Sequence, residues 1–246
     1  MRYLVFSDVH SNLEALKAML DFVKNKRLDK FLFLGDIVGY GANPNEVIEE
    51  IRKIPSISLI RGNHDKAVVG LANLDYFNPV AAVAVLWTSR NLKPENLQFL
   101  RNLNQGPLRI NEEITICHGA PWDEDYYMFN KFDALEAFSL FETKICFFGH
   151  THFPAIHILE NGDVKTLYPS KFSFRLKIED DFRYLINPGS IGQPRDGNPH
   201  SSFIIYDSKK KIITIHRIPY DISKAQSKII EAGLPHMLAN RLSSGI

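Results

Sequence analysis

Seven side chains of types that bind transition metals each follow closely on a short apolar run. Tyr3–Phe6 leads into Asp8 and His10, and Phe31–Leu34 into Asp36. Ser58–Ile60 leads into Asn63, Ile114–Cys117 into His118, and Ile145–Phe148 into His150 and His152. Seven donors are too many for one tetrahedral ion and suit a pair of ions about 3.5 to 4 Å apart. Mixed nitrogen and oxygen ligation without thiolate favours divalent or trivalent Mn, Fe, Zn, Co or Ni. On an extended strand end, Asp8 and His10 would share a side because the residue between them points away, and His150 and His152 would repeat that geometry. Singly, each motif has a plainer role, Asp8 for instance as the cap of a following helix. Five motifs in order, each at the end of an apolar run, imply convergence.

A sheet supplies that convergence, since it sets its strand ends along one rim. After the first strand, Ser11 or Asn12 can cap a helix whose Leu13, Leu16, Leu20 and Val23 recur at spacings of three and four. A strand over 30–34 and a glycine-rich loop follow, then Asn43 and Pro44 as cap and first helical residue, with Val47, Ile48 and Ile51 facing inward. A third strand closes at Ile60. Residues 66–104 read as helical, broken at Pro79 and Pro94, with Val80 to Trp87 as a buried stretch. Strands are predicted over 108–110, 114–117, 145–148, 155–159 and 164–167, the last two joined by an Asn161-Gly162 hairpin. Further strands fall at 172–178, 183–187, 202–207 and 212–217, before a helix over 222–243 interrupted at Gly233 and Pro235. That number of strands suits two sheets, and no linker, repeat or shift in composition divides residues 1–246 into more than a single domain.

Composition narrows the function classes. Lys and Arg total 29 against 28 Asp and Glu, so no basic surface points to nucleic acid. Cys117 and Cys146 lie in apolar runs and read as buried thiols in a reducing compartment. No run approaches the roughly 18 apolar residues of a membrane span, and no charged leader precedes the first strand, so the expected location is cytoplasmic. Oligomeric state has no signature. Of the 9 histidines, His157, His200, His216 and His236 stand outside the motifs and read as structural or solvated.

The motifs Asp8-Val-His10, Gly35-Asp36, Gly62-Asn63-His64-Asp65, His118-Gly119 and Gly149-His150-Thr151-His152 resemble those of the calcineurin-like metallophosphoesterases. The segment Asn187 to Gly197 is similar to one in the small bacterial and archaeal phosphodiesterase branch of that superfamily. This resemblance implies an α/β fold, a four-layer αββα sandwich of two mixed sheets flanked by helices, with a dinuclear centre at the strand ends. It assigns Asp8, His10 and His152 to one metal, Asn63, His118 and His150 to the other, and Asp36 to both. It further implies hydrolysis of small phosphodiesters, and secondarily phosphomonoesters, by in-line attack of a metal-bridging hydroxide. His64 would be the general acid, with Asn63 and Arg195 contacting substrate.

One departure bears on substrate. In the protein serine/threonine phosphatases an Asp and an Arg follow the bridging aspartate by three and four positions, where this chain has Gly39 and Tyr40. Phosphoprotein substrates are accordingly disfavoured, and Asp65 or a backbone carbonyl is left to orient His64. Arg195 can instead tie its own loop through Asp196, and the aromatic run Trp122 to Phe129 can pack on the sheet edge or stack a base. The competing function is a scaffold of the same fold that binds metal and protein partners without turnover. Neither a P-loop, nor a G-x-S-x-G elbow, nor an H-x-H-x-D-H site is present, Pro154 standing where the last would need aspartate.

Overall fold

Alternation along the first strand sorts the molecule into layers. In the computed structural model, which describes residues 1–170 and 172–246, β1 (Arg2–Phe6) sends Leu4 and Phe6 to one core and Tyr3 and Val5 to another. The first core lies beneath α1 (Leu13–Val23), α2 (Pro44–Arg52), α3 (Asn63–Val68), α4 (Pro79–Asn91) and α5 (Pro94–Arg101). The second is the seam between two sheets.

One sheet has the order β3-β2-β1-β11-β12-β9, with β2 (Lys30–Phe33), β3 (Ile57–Leu59), β9 (Ser173–Lys177), β11 (Ser201–Asp207) and β12 (Ile212–Ile218). The other is β4-β5-β6-β10-β7-β8, from β4 (Leu108–Arg109), β5 (Ile114–Ile116), β6 (Ile145–Phe147), β7 (Pro154–Glu160), β8 (Asp163–Leu167) and β10 (Arg183–Pro188). Strands β1, β2 and β3 run parallel, as do β5, β6 and β10. Parallel strands point their C-terminal ends the same way, so both sheets deliver their motif loops to one rim. Leu32, Leu34 and Ile60 from the first sheet meet Ile116, Phe147 and Ile186 from the second, all fully buried. The outer face of the second sheet is covered by α6 (Lys131–Phe138). Beside α4, α7 (Ile222–Glu231) and α8 (His236–Ser244) pack through Ala225, Ile229, Leu238 and Leu242. The expected fold class is observed.

Several local expectations hold with a stated cause. Asn12 caps α1 by accepting the Ala15 N–H at 3.1 Å, and Asn161 and Gly162 take positive φ in the β7–β8 hairpin. Others need correction. Asn43 makes no side-chain cap to the backbone of α2, and its amide donates to Glu46 at 3.1 Å instead. The stretch Val80–Trp87 is buried on one face only: Ala81, Ala84 and Val85 pack inward, while Val83 and Leu86 are exposed. The outer face of α4 has no layer above it among the described residues. Among the described residues no helix is long and apolar enough to cross a membrane.

Candidate metal centre

The candidate ligands stand beyond the strand ends, and the backbone there is not extended. Asp8, His10, Asp36, His150 and His152 all adopt positive φ, between 49° and 65°. The expected alternation of i and i+2 on a strand is therefore replaced by left-handed turns that swing each donor inward. Such residues cost about 1–2 kcal/mol each relative to the right-handed form, and they persist where neighbours over-determine them. Here the neighbours are backbone groups. Asp8 N donates to Gly35 O and His10 N to Asp36 O, both at 3.0 Å. The segment after β10 clamps the rest: Gly192 N donates to Asp8 O at 2.9 Å, Ser190 Oγ to Asp8 O at 2.8 Å, and Asn187 Nδ2 to Gly149 O at 2.7 Å. Asn63, His64 and Asp65 form the first turn of α3 rather than a loop.

Six of the predicted donors fall into two buried groups that share Asp36: Asp8, His10, Asp36 and His152, and Asp36, His118 and His150. Asn63 joins the second, its Oδ1 lying 3.2 Å from His118 Nε2. Each imidazole also sets one nitrogen against a backbone carbonyl. His10 Nδ1 meets Val38 O at 3.1 Å, His118 Nδ1 meets Leu34 O at 2.8 Å, His152 Nδ1 meets Gln193 O at 2.5 Å, and His150 Nε2 meets Asp125 O at 3.1 Å. A carbonyl can only accept, so that nitrogen carries the proton and the other presents a lone pair inward.

The consequence is a cluster of acceptors facing one another. His10 Nε2 and His152 Nε2 are 3.1 Å apart, a repulsive contact for two lone pairs unless a cation accepts from both. Asp36 Oδ1 accepts the His64 N–H at 2.9 Å, while Oδ2 has no partner and lies 3.4 Å from both His10 Nε2 and His118 Nε2. Asp8 Oδ1 is likewise unpartnered, 3.3 Å from His152 Nε2. Buried lone pairs and carboxylates without donors are what a cation repays, and the residues present fit two ions with Asp36 between them.

Charges in the cluster agree. Burial alone would raise the Asp8 and Asp36 carboxyls, but the adjacent imidazoles, His152 for Asp8 and His118 for Asp36, hold both below the usual range. Burial opposes protonation of His118 too, yet Asp36 pushes its pKa up to about 10. Burial lowers His10, His150 and His152. With no ion, a proton on His118 serves as the local cation.

His64 sits beside the cluster, and its side chain belongs to neither group. Its Nδ1 is buried without a partner, directly over Gly39, where an added Cβ would lie 2.5 Å away. Tyr40 and Phe77 flank the ring at centroid distances of 4.4 and 5.2 Å. Burial pushes its pKa down to about 4. Neither expected orienting group is used. Asp65 instead accepts the N–H groups of Asp36, Val38 and Gly62 at 2.9, 3.1 and 3.0 Å, bracing the bridging loop.

Asp196 pairs with Arg217, so the loop is tied down without Arg195. Arg195 donates to Gln193 Oε1 at 3.0 Å and to the Tyr40 hydroxyl at 3.3 Å, and no carboxylate pairs with it among the described residues. His200 is held away, bonded to Asn198 at 2.8 Å. Tyr127 was legible only as one of an aromatic run; it stacks on His150 at 3.8 Å. The carbonyls of Val38, Leu34, Gln193 and Asp125 had no signal, because any residue supplies a carbonyl.

Comparison with known proteins agrees with this geometry. Residues 1–211 match the calcineurin-like phosphoesterase superfamily domain. The chain is 44% identical to an uncharacterized protein of Methanocaldococcus jannaschii, over 98% of this chain and 97% of the relative. It is 40% identical to a crystal structure of a metallophosphoesterase from Sphaerobacter thermophilus, with a TM-score of 0.87, covering 100% of this chain and 99% of that one. A hypothetical protein from Pyrococcus horikoshii shares the fold at 20% identity and a TM-score of 0.81, covering 100% of this chain and 98% of that one. With the extent of the first match and the identity of the first relative, the chain belongs to the calcineurin-like phosphoesterase superfamily.

Proposed function

We propose that this protein is a dinuclear metal-dependent hydrolase of small phosphodiesters, with phosphomonoesters as a secondary class. The carrying observation is the pair of buried donor groups joined by the unpartnered Oδ2 of Asp36. Asp8, His10, Asp36 and His152 would hold one ion, and Asp36, Asn63, His118 and His150 the other. Manganese is the first metal to test, the donor set being equally suited to Fe, Zn, Co or Ni. When bound, the ions supply Lewis acidity and a water acidic enough to attack phosphorus near neutral pH.

The chain supplies the rest. Asn63, at the N-terminus of α3, and the unpaired guanidinium of Arg195 contact the non-bridging oxygens. In hydrolysis the water oxygen bonds to phosphorus as the bond to the leaving alcohol breaks. The departing alkoxide then requires a proton. His64 Nε2 would meet that oxygen, donating a hydrogen bond as the neutral ring and, as the imidazolium, giving up the proton itself to become neutral imidazole, a contribution of about 10² to 10⁴ in rate. Buried Nδ1 cannot do so, because Gly39 closes it off. The absence of a carboxylate and a guanidinium at positions 39 and 40 disfavours phosphoproteins, and residues 1–246 act as one catalytic domain.

Mn²⁺-loaded protein is expected to cleave bis(p-nitrophenyl) phosphate, and His64→Ala to retain two metals while losing most of kcat. Full metal occupancy with no turnover across mono- and diesters would favour the scaffold reading instead.

A further inference from the structure

The centre opens on one side into a cleft of about 610 Å3, with Asn63, His64 and His150 among its lining residues. That volume lies within the range of small-molecule sites, about 300–1,000 Å3. Beyond those three residues the walls change character. Tyr76, Phe77 and Tyr127 line the cleft, and two of these rings are open to solvent: Tyr76 is 90% exposed and Tyr127 42% exposed. Single exposed aromatics need no explanation, but these two border the same cavity beside His64. Tyr127 is held in place by stacking on His150 at 3.8 Å and by lying parallel to Phe129 at 5.6 Å.

Charge divides the site in the same sense. Lys66 is the cation of the cleft, and it is committed to Glu124 at 3.0 Å and Asp125 at 2.7 Å, with Asp123 also on the wall. No free positive charge is left there to receive a second phosphate. The Arg195 guanidinium is not among the lining residues; it meets the Tyr40 hydroxyl at 3.3 Å and also lies against the Tyr127 side chain. An uncharged group therefore suits the part of the cleft walled by Tyr76 and Phe77. Asn78 adds a polar edge. Its Oδ1 caps α4 by accepting the Ala81 N–H at 2.9 Å, which leaves its NH2 for an acceptor in the cleft.

Building on the phosphoesterase reading, we propose that this cleft receives the leaving alcohol and selects a planar aromatic ring, stacked between Tyr127 and Tyr76. The ring is that of a nucleobase or of a simple aryl alcohol, and the Asn78 amide favours the nucleobase because it offers acceptors on its edge. Tyr76 and Tyr127 are specificity residues and take no part in bond breaking.

Free alcohols test this without any turnover. Mn²⁺-loaded protein in the presence of inorganic phosphate is titrated with adenosine, benzyl alcohol and ribose, with binding followed by saturation-transfer NMR. Stacking on an aromatic side chain is worth roughly tenfold or more in affinity per base, so adenosine is expected to bind at least about ten times more tightly than ribose. In Tyr76→Ala and Tyr127→Ala the ratio of the two affinities should fall severalfold, and in the double variant approach unity. Tyr76 is so exposed that its removal leaves the fold intact. Benzyl alcohol matching adenosine assigns the cleft to simple aryl groups, while adenosine exceeding it assigns the cleft to nucleosides. Equal affinities for all three alcohols, or an adenosine preference that survives the double variant, overturns the proposal. Either result is separate from a failure to hydrolyse bis(p-nitrophenyl) phosphate, which bears on the phosphoesterase reading alone.

Discussion

Replacing Gly39 by alanine tests the placement of His64 more sharply than deleting the histidine. A methyl at this position would lie 2.5 Å from His64 Nδ1 and 3.0 Å from its Cγ, against an ordinary separation of about 3.5 Å or more. The ring must therefore recede by about 1 Å, and Tyr40 and Phe77 limit where it goes. Misplacement of that size costs on the order of 10²-fold in rate when the displaced group acts on the reacting atoms. Gly39 also holds φ at +101°, where alanine adds about 1–3 kcal/mol of backbone strain. For a chain of this length that corresponds to a Tm lowered by roughly 2–10 °C. Expected for Gly39→Ala is kcat down about 100-fold, with KM and metal content nearly unchanged. Steady-state kinetics on a diester, metal analysis and a thermal melt supply the three readouts. The decisive step is the double variant with His64→Ala. If both changes act through one imidazole, the combination is no slower than His64→Ala alone; multiplicative losses would refute the placement of His64 at the leaving oxygen.

Two further outcomes need no substrate. Burial pushes His157 and His216 down to about 4 from an ordinary 6.5, so the unfolded chain binds more protons between those values; stability from both histidines is complete above pH 6.5 and is lost as pH falls toward 4. The loss is about 2 kcal/mol for the buried His157 by pH 4.5 and smaller for His216, whose part-exposed ring is screened by solvent; urea unfolding of a His157→Phe, His216→Phe variant should show a correspondingly flatter pH dependence, an unchanged slope counting against the assignment. Adding Mn²⁺ at about 100 times its Kd should stabilise the protein by about 2.7 kcal/mol per site, reversed by a chelator; Asp36→Asn keeps the oxygen that accepts the His64 N–H but loses the shared anion, so two bound ions in that variant would disprove the bridge.

How much of this was legible depended on whether the signal was local. Apolar runs of three or four residues followed by Asp, His or Asn marked strand ends and donors together, because both are written in side-chain type. The two-sheet architecture followed from the count and spacing of such runs. Less accessible was the way the donors converge. Strand alternation was the natural expectation for Asp8 and His10, yet φ values near +50° at these residues come from the turn geometry that Gly35, Asp36 and the Asn187–Gln193 segment impose from far away in the chain. Nor could sequence choose a partner for His64. Two polar groups were plausible, and packing between Tyr40 and Phe77 does the holding instead. The outer face of α4 misled for the opposite reason, since Val83 and Leu86 are apolar without being covered.

The left-handed ligand positions also say where the site gets its rigidity. Five such non-glycine residues cost about 5–10 kcal/mol in all, comparable with the whole net stability of a typical domain. Hydrogen bonds that exist without an ion hold these turns: Asp8, His10 and Asp36 are tied through their backbone, His150 N donates to Asp8 Oδ2 at 3.2 Å, and the His152 ring donates to Gln193 O. Asp8 both donates to Gly35 and accepts from Gly192, and Gly149 N donates to His118 O at 2.7 Å, linking the two histidine loops. The strain is offset by the sandwich beneath, whose fully buried Phe6, Phe33, Phe147 and Phe148 stand at or just past the strand ends that carry the loops. A centre built this way differs from a small zinc domain, where binding supplies the folding energy outright. Removing the ions should leave the turns in place and the acceptors facing one another, with a proton on His118 as partial compensation. On the proposed ligand set, cations would meet a frame already shaped for them, with little reorganisation between the free protein and the loaded one.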